Sequence, residues 1–257
     1  MIGLGGAGMS AQMLYRTTQT NFDRRFEAFA KQPMQARAVE HFRTEAPKKL
    51  TPKEVLDDFR LQRFLLQAFG LEEMGNSRAL VEKILTQDLD DEKSLVWRMN
   101  DQRFVRMATA LRFDQGVGKL QFPKVVDQLV DRYLTQGYEA QIGEQNPQVR
   151  QAMYFKRRAP DISNAFQLLG DKALRDVATT IAGLPPQAAQ LDLDKQADLI
   201  KEKIDLSKLK DPVYVEELMQ KYLARVDAQS GPSGAAAGVL QLFQPARSGG
   251  LSLNLLV

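Results

Sequence analysis

The chain has 257 residues, with 35 basic and 32 acidic side chains, a net charge of +3 and a pI near 9.0. It has no cysteine and one histidine, which excludes disulfides, thiolate metal sites, cysteine nucleophiles and histidine-rich metal centres. The basic bias is too mild to require a polyanionic partner. No apolar stretch approaches the roughly 20 residues of a membrane-spanning helix, so the sequence predicts a soluble protein.

Helix start signals recur along the chain. Thr51-Pro52-Lys53-Glu54 is typical of a capping box with proline at the first helical position. Asn146-Pro147 and Asp211-Pro212 indicate two further helix starts. No segment alternates with the period of a strand, so we predict an all-α multi-helix bundle. The predicted helices lie near residues 9–31, 33–45, 52–69, 75–87, 93–111, 121–142, 147–158, 161–182, 194–204 and 212–227.

Apolar residues recur with helical spacing in several of these segments. One stripe comprises Phe122, Val125, Val126, Leu129, Val130 and Tyr133. Another comprises Ile162, Ala165, Phe166, Leu169, Ala173, Val177 and Ile181. Because a helix buries such a face against its neighbours, we expect both stripes in the core. We expect the same for Trp97 and the apolar residues that follow it, and not a ligand cage.

Two distant segments follow a similar plan. Asp58 precedes Gly70 by twelve residues, and Asp171 precedes Gly183 by the same interval. Each glycine suits the left-handed residue that ends a helix, and each is followed by a leucine that can cover the last turn. The pattern predicts two loosely repeated helical halves, at about residues 50–115 and 160–228.

The composition predicts one all-α domain at residues 9–228 between two flexible ends. Residues 1–8 match G-x-G-x-x-G, but they lack the preceding strand of a dinucleotide site and the apolar core of a secretory signal. We interpret them as a flexible leader. Residues 229–257 begin with a glycine-, serine- and alanine-rich stretch and are predicted to form a flexible tail. The apolar piece with Leu240, Leu242 and Phe243 can dock on a partner, add a strand to its sheet edge, or fold back on the body.

One basic patch is the best candidate for a partner-binding surface. It comprises Arg150, Lys156, Arg157 and Arg158. Three roles are open for it. The cations can oppose the dipole at the end of a helix or form ion pairs, they can bind an acidic protein, or, with Tyr154 and Phe155 stacking on bases, they can bind a nucleic acid.

The residues mark no catalytic, cofactor or metal site. His41 has no marked nucleophile or acid partner, so we expect it to pack or to form a hydrogen bond. The acidic run from Asp88 begins like a calcium loop, but Lys93 and Met99 replace the glycine and glutamate that such a loop needs. We therefore predict a protein that is not an enzyme and that holds no cofactor and no metal.

Several segments together carry a family resemblance. They are Phe64-Leu65-Leu66-Gln67-Ala68-Phe69-Gly70-Leu71, Asp90-Asp91-Glu92-Lys93-Ser94, Asn100-Asp101-Gln102-Arg103-Phe104 with Phe113, and Arg150-Gln151-Ala152-Met153-Tyr154-Phe155-Lys156-Arg157-Arg158-Ala159-Pro160. With them, most of residues 8–228 resembles an uncharacterised helical family of alphaproteobacteria. That family is catalogued as a domain of unknown function and is often encoded among flagellar genes.

The resemblance assigns no functional residue, because the family has no established active site. Its gene neighbourhood implies an accessory structural or assembly factor of the flagellum that binds other proteins and whose ends order on assembly. Such a protein would be cytoplasmic, flagellum-associated or exported by the flagellar secretion apparatus. A general cytoplasmic helical adaptor or scaffold is the main alternative, followed by a nucleic-acid-binding regulator or an enzyme.

Overall fold

The structure is a computed structural model that describes residues 9–99, 101–116 and 118–230. All regular secondary structure within these ranges is helical, which confirms the predicted all-α class. The α-helices are α1 Ala11–Thr20, α2 Phe22–Ala30, α3 Pro33–Glu45, α4 Pro52–Asp57, α5 Phe59–Phe69, α6 Arg78–Leu85, α7 Leu95–Arg98, α8 Gln102–Leu111, α9 Pro123–Gln145, α10 Pro147–Arg158, α11 Ala165–Leu169, α12 Lys172–Ala182, α13 Leu193–Lys201 and α14 Pro212–Ser230. Short 3-10 helices lie at Ala46–Lys48, Glu72–Asn76, Phe113–Gln115, Lys119–Gln121, Ala159–Asp161, Pro186–Gln190 and Leu206–Lys208.

The three predicted starts are confirmed in atomic detail. Oδ1 of Asp211 accepts a hydrogen bond from the N–H of Val213 at 2.9 Å, and α14 begins at Pro212. Oγ1 of Thr51 accepts a hydrogen bond from the N–H of Glu54 at 3.3 Å. Oε2 of Glu54 accepts a hydrogen bond from the N–H of Leu50 at 2.8 Å, one residue earlier than in a standard capping box. Oδ1 of Asn146 accepts from the first turn of α10 at 3.0 and 3.1 Å, so the boundaries of that helix match the prediction.

Two predicted helices, 52–69 and 161–182, are each divided by an aspartate. Asp58 is the N-cap of α5 and Asp171 is the N-cap of α12. Each carboxylate accepts hydrogen bonds from two N–H groups of the first turn, at 2.9 to 3.3 Å. The prediction of two long uninterrupted helices is therefore wrong. In each case the aspartate side chain accepts hydrogen bonds from N–H groups that would otherwise be unpaired, and a new helix begins there.

Two further predicted helices are also interrupted. The segment 9–31 breaks at Asn21, between α1 and α2, and the segment 93–111 breaks between α7 and α8. At the second break Asp101 caps α8 by accepting from the N–H of Arg103 at 2.9 Å. The apolar spacing continues across such breaks, which is why periodicity predicts longer helices.

The core consists of two hydrophobic clusters that both include side chains of α9. The first cluster draws on α1, α2 and α10 to α14, and the second on α3 to α8. The α9 residues in the second cluster are Val126, Leu129, Val130 and Tyr133, whereas Tyr138 and Ile142 lie in the first. Leu134 packs against both clusters. α9 therefore ties the two halves of the core together.

The two segments that follow a similar plan in the sequence share several features of local structure. We call residues 52–85 the first module and residues 165–201 the second module. Gly70 and Gly183 end α5 and α12 with φ of 69° and 71°, in the left-handed region that favours glycine. The N–H of the leucine after each glycine donates to the carbonyl five residues earlier, at 2.8 and 3.0 Å, which closes a Schellman motif. In each module the two short helices contact each other, α4 with α6 and α11 with α13.

Three aromatic residues that the sequence places in the core are partly exposed. Phe122 is 61% exposed because it precedes α9 as its N-cap, ahead of the buried stripe. Phe166 is 48% exposed. Trp97 is 39% exposed and donates from Nε1 to the carbonyl of Leu89 at 3.1 Å. The core prediction is wrong for these residues, because helical spacing defines a face but not where its burial ends.

No helix within the described ranges is long and apolar enough to cross a membrane. α14 continues to Ser230, two residues beyond the predicted end of the domain. The predicted leader at residues 1–8 and the predicted docking residues Leu240, Leu242 and Phe243 lie outside the described residues.

Candidate functional site

Three of the four residues of the predicted basic patch form ion pairs within the chain. Nζ of Lys156 donates to Oε2 of Glu216 at 2.8 Å and to Oε1 of Gln19 at 3.1 Å. Arg158 donates to Oδ2 of Asp161 at 2.6 Å. The Lys156 contacts join α10 to α1 and α14, so this cation contributes to helix packing.

Arg157 forms a more buried ion pair. Its Nε and Nη2 donate to the two carboxylate oxygens of Glu139 at 2.7 and 2.9 Å, and the Glu139 side chain is 3% exposed. Burial opposes the charge of Arg157, but the hydrogen bonds and the charge of Glu139 outweigh it and raise the pKa of Arg157. The guanidinium also lies 5.2 Å from the centre of the Tyr154 ring, a cation–π contact. Both charges are therefore satisfied inside the fold.

Arg150 differs from these three neighbours. Its side chain makes no hydrogen bond or ion pair with another residue of the described ranges, and it lines a cleft. A Cβ atom added at Gly143 would lie 2.7 Å from Cδ of Arg150. The glycine on α9 thus leaves room for the arginine beside the junction of α9 and α10.

The cleft that Arg150 lines lies between the two modules and has a volume of about 590 Å³. We call it the inter-module cleft. From the first module it is lined by Gly70 at the end of α5, and from the second by Asp171 and the first turns of α12. α9 contributes Gln136, and α10 contributes Tyr154 beside Arg150. The cleft thus forms where the end of one repeated helix faces the start of the other.

The charges of the inter-module cleft are balanced. Its basic residues are Arg103, Arg150, Lys172 and Arg175, and its acidic residues are Glu73, Asp101, Asp171 and Asp176. Several of them neutralise each other. Arg103 lies 2.8 Å from both Glu73 and Asp101, and Lys172 lies 3.0 Å from Asp176.

Arg103 joins two elements of the cleft. Besides its ion pairs it donates to the carbonyl of Gly70, so it ties the start of α8 to the end of α5. Burial alone would raise the pKa of Asp101, but the hydrogen bonds from Arg103 lower it. Both groups therefore remain charged at neutral pH, and neither is left free for a ligand.

A buried hydrogen-bond network lies beside these pairs. The hydroxyl of Tyr154 donates to Oδ2 of Asp171 at 2.6 Å and accepts from Nη2 of Arg106 at 3.0 Å. Burial raises the pKa of Tyr154 to about 12, with Arg106 opposing and Asp171 adding to the effect. At neutral pH Tyr154 is thus a protonated donor that fixes the second carboxylate oxygen of the α12 cap.

Three side chains of the cleft are left without a strong partner among the described residues. Arg150 has no hydrogen bond or ion pair, although burial raises the pKa of the nearby Glu72 carboxyl and the charge of Arg150 opposes that rise. Arg175 has only a 3.4 Å contact from Nη1 to the carbonyl of Leu169. Gln136 is 6% exposed and its amide forms no hydrogen bond within these ranges, although it lines the cleft. Guanidinium and amide groups are hydrogen-bond donors. The cleft therefore offers donors to a ligand that supplies acceptors.

His41, the single histidine of the chain, does not line the inter-module cleft. Nε2 of His41 is 2.9 Å from Oδ2 of Asp58, at the start of α5, so the predicted hydrogen-bonding role is confirmed. Within residues 9–99, 101–116 and 118–230, no group of three or more His, Asp or Glu side chains is arranged to hold a metal ion.

Sequence analysis missed two of the three unpaired groups. Gln136 and Arg175 lie inside predicted helices and belong to no motif. Arg150 belongs to the predicted basic patch, but the sequence does not show that it alone of the four cations lacks an ion pair. No local signal identifies these groups, because they lie on three different helices that meet only in the folded protein.

A family model described as "Protein of unknown function (DUF1217)" matches residues 68–215, which is more than half of the chain. The chain belongs to the DUF1217 family. The matched segment begins at the end of α5 and includes every residue that lines the inter-module cleft. No curated protein matches this DUF1217 chain.

A solved structure is similar to this DUF1217 protein. It is the X-ray crystal structure of a protein from Agrobacterium tumefaciens, an alphaproteobacterium, with 29% sequence identity and a TM-score of 0.77. The alignment covers 84% of this chain and 93% of that one. The resemblance to an uncharacterised alphaproteobacterial family is thereby confirmed at the level of family and fold.

Proposed function

We propose that this DUF1217 protein is a non-enzymatic interaction protein that serves as an accessory structural or assembly factor of the bacterial flagellum. The flagellar context rests on the gene neighbourhood implied by the sequence resemblance. The likeness to a protein from an alphaproteobacterium agrees with the family resemblance from which that context is taken.

The observation that carries the interaction role is the unpaired set of donors in the inter-module cleft. Gln136, Arg150 and Arg175 line the cleft, and within the described ranges none of their side chains has an ion pair or a hydrogen bond shorter than 3.4 Å. Guanidinium and amide N–H groups are hydrogen-bond donors. A partner that supplies acceptors would pair with these donors in place of water.

A general helical adaptor or scaffold outside the flagellum is the alternative, because the same cleft supports it. A nucleic-acid-binding role is less favoured. Lys156, Arg157 and Arg158 are held by carboxylates of the same chain, so few free cations remain in that patch to displace counterions from phosphates.

The proposal is tested by deleting the gene in its native host and counting flagellar filaments per cell by electron microscopy. We expect fewer or shorter filaments, restored by the wild-type gene. A gene carrying Arg150→Gln and Arg175→Gln should fail to restore them. Arg24→Gln, an exposed arginine of α2 outside the cleft, is the matched control and should restore them. A normal count in the deletion strain would overturn the flagellar role and favour the adaptor.

A further inference from the structure

We propose that the inter-module cleft binds an acidic peptide segment of a partner protein, and that it recognises one carboxylate together with a backbone amide next to it. The inference rests on the proposed interaction role and names the chemistry of the partner. Arg150 and Arg175 are the carboxylate-binding groups, and Gln136 is the amide-binding group.

The two arginines suit a carboxylate because a guanidinium presents paired N–H donors that match two carboxylate oxygens. Lys156, Arg157 and Arg158 already have such acceptors inside the fold. Arg150 and Arg175 line the cleft from α10 and α12 without one. A carboxylate from another molecule would accept hydrogen bonds from the N–H donors of these two arginines.

Gln136 adds the second part of the recognition. The residue is 6% exposed, lines the same cleft and forms no side-chain hydrogen bond within the part of the chain that is described. Its amide is not among the fully buried groups without a partner, so it remains accessible from the cleft. A primary amide has both a donor and an acceptor, which match the carbonyl and N–H of a peptide bond. A simple inorganic anion would use only the donor.

The charge of the cleft selects against a polyanion. Four acidic residues line it beside four basic ones. Asp176 lies on α12 with Arg175, Asp171 is the N-cap of that helix, and both carboxylates would repel a second or third negative charge on the ligand. One carboxylate replaces one missing partner, whereas a nucleotide or a nucleic acid brings several charges into a neutral cleft.

The test uses the full chain labelled with nitrogen-15 and follows side-chain NMR signals during titration. The probe is N-acetyl-glutamate N-methylamide, which carries one carboxylate between two peptide groups. We expect saturable shifts of the Gln136 amide and of the Nε signals of Arg150 and Arg175. The glutamine analogue, which has the same shape without the charge, should bind at least about 10-fold more weakly, since charge-assisted hydrogen bonds are about twice as strong as neutral ones.

Substitutions show which residues bind the glutamate probe. Arg150→Gln and Arg175→Gln should each weaken binding of the glutamate probe by about 10-fold or more, and Arg24→Gln should leave it unchanged. If one cleft variant does not fold, the other remains informative. Equal binding of both probes, the absence of shifts at Gln136, or tighter binding of inorganic phosphate or ATP would each overturn the inference.

The two proposals fail separately. Probe binding that follows this pattern in a protein whose loss leaves filaments normal would overturn the flagellar role and keep the cleft assignment. Lost filaments together with an absent probe response would keep the flagellar role and overturn the cleft assignment.

Discussion

At the scale of single residues, several cationic side chains stabilise the fold by forming ion pairs with carboxylates of other helices. Arg157 supplies two hydrogen bonds to the nearly buried carboxylate of Glu139. Removing one partner of such a pair leaves an uncompensated charge, which costs more than the pair itself contributes. Lys156 joins α10 to Glu216 on α14. These residues therefore have a structural role whether or not a partner also approaches them.

Asp58 allows a quantitative prediction at this scale. Asp58→Ala removes the acceptor for two N–H groups of α5 and should lower the free energy of unfolding at pH 7 by about 1 kcal/mol. Asp58→Asn keeps an acceptor and should lose clearly less. Urea unfolding of the three proteins measures the difference, and equal losses in the two variants would show that the charge, and not the cap, stabilises the helix.

The same residue predicts a pH dependence. Burial would raise the pKa of Asp58, but hydrogen bonds from Leu61, His41 and Arg60 outweigh it and lower the pKa. A group whose pKa is lower in the folded state contributes stability above its unfolded value of about 3.9, and that contribution is lost as the pH falls through the folded value. The advantage of the wild type over Asp58→Asn should therefore shrink below about pH 4.

At the scale of helices, the central helices of the two modules, α5 and α12, begin and end with the same residue types. An aspartate caps each central helix and a left-handed glycine ends it, so the same local chemistry is used in α5 and α12. The glycines were identifiable in the sequence because a left-handed position strongly favours this residue. The aspartates were noticed as a repeat, but not as N-caps, because the apolar spacing continues across them.

Gly70→Ala should destabilise the protein by about 1 to 2 kcal/mol, because a Cβ atom is strained in the left-handed region. The added Cβ would lie 3.4 Å from Nε2 of Gln136, so the backbone is the main cause. Gly75→Ala is the matched control. Gly75 has no positive φ and nothing within 4 Å of an added Cβ, and its change should stay within about 0.5 kcal/mol. Chemical unfolding of both variants checks the prediction, and equal effects would contradict it.

At the scale of the whole molecule, α9 belongs to both hydrophobic clusters. A Cβ atom added at Gly137 would lie 2.7 Å from Nε2 of Gln67 on α5 and 2.9 Å from Cζ of Phe29 on α2. Phe29 belongs to the first cluster, and Gln67 is on a helix of the second. The two clusters are therefore packed against one helix at neighbouring positions, which couples them.

This coupling predicts that both clusters unfold in one transition. Trp97, the single tryptophan of the chain, lies on α7 beside the second cluster, whereas circular dichroism reports all helices. The two signals should give the same urea midpoint. Gly137→Ala should shift both midpoints together to lower urea, because overpacking costs about 1 to 3 kcal/mol and the gain in helix propensity returns at most about 1. Separate midpoints would show two independent units.

The helical class and many helix ends follow from the sequence, because caps, left-handed glycines and apolar spacing act within a few residues. Thr51, Asn146, Gly70 and Gly183 illustrate this. Which charges are paired, and which face the inter-module cleft, depends on the packing of distant helices. Its unpaired groups come from α9, α10 and α12, and the free energy of pairing a charge depends on neighbours that are distant in the chain.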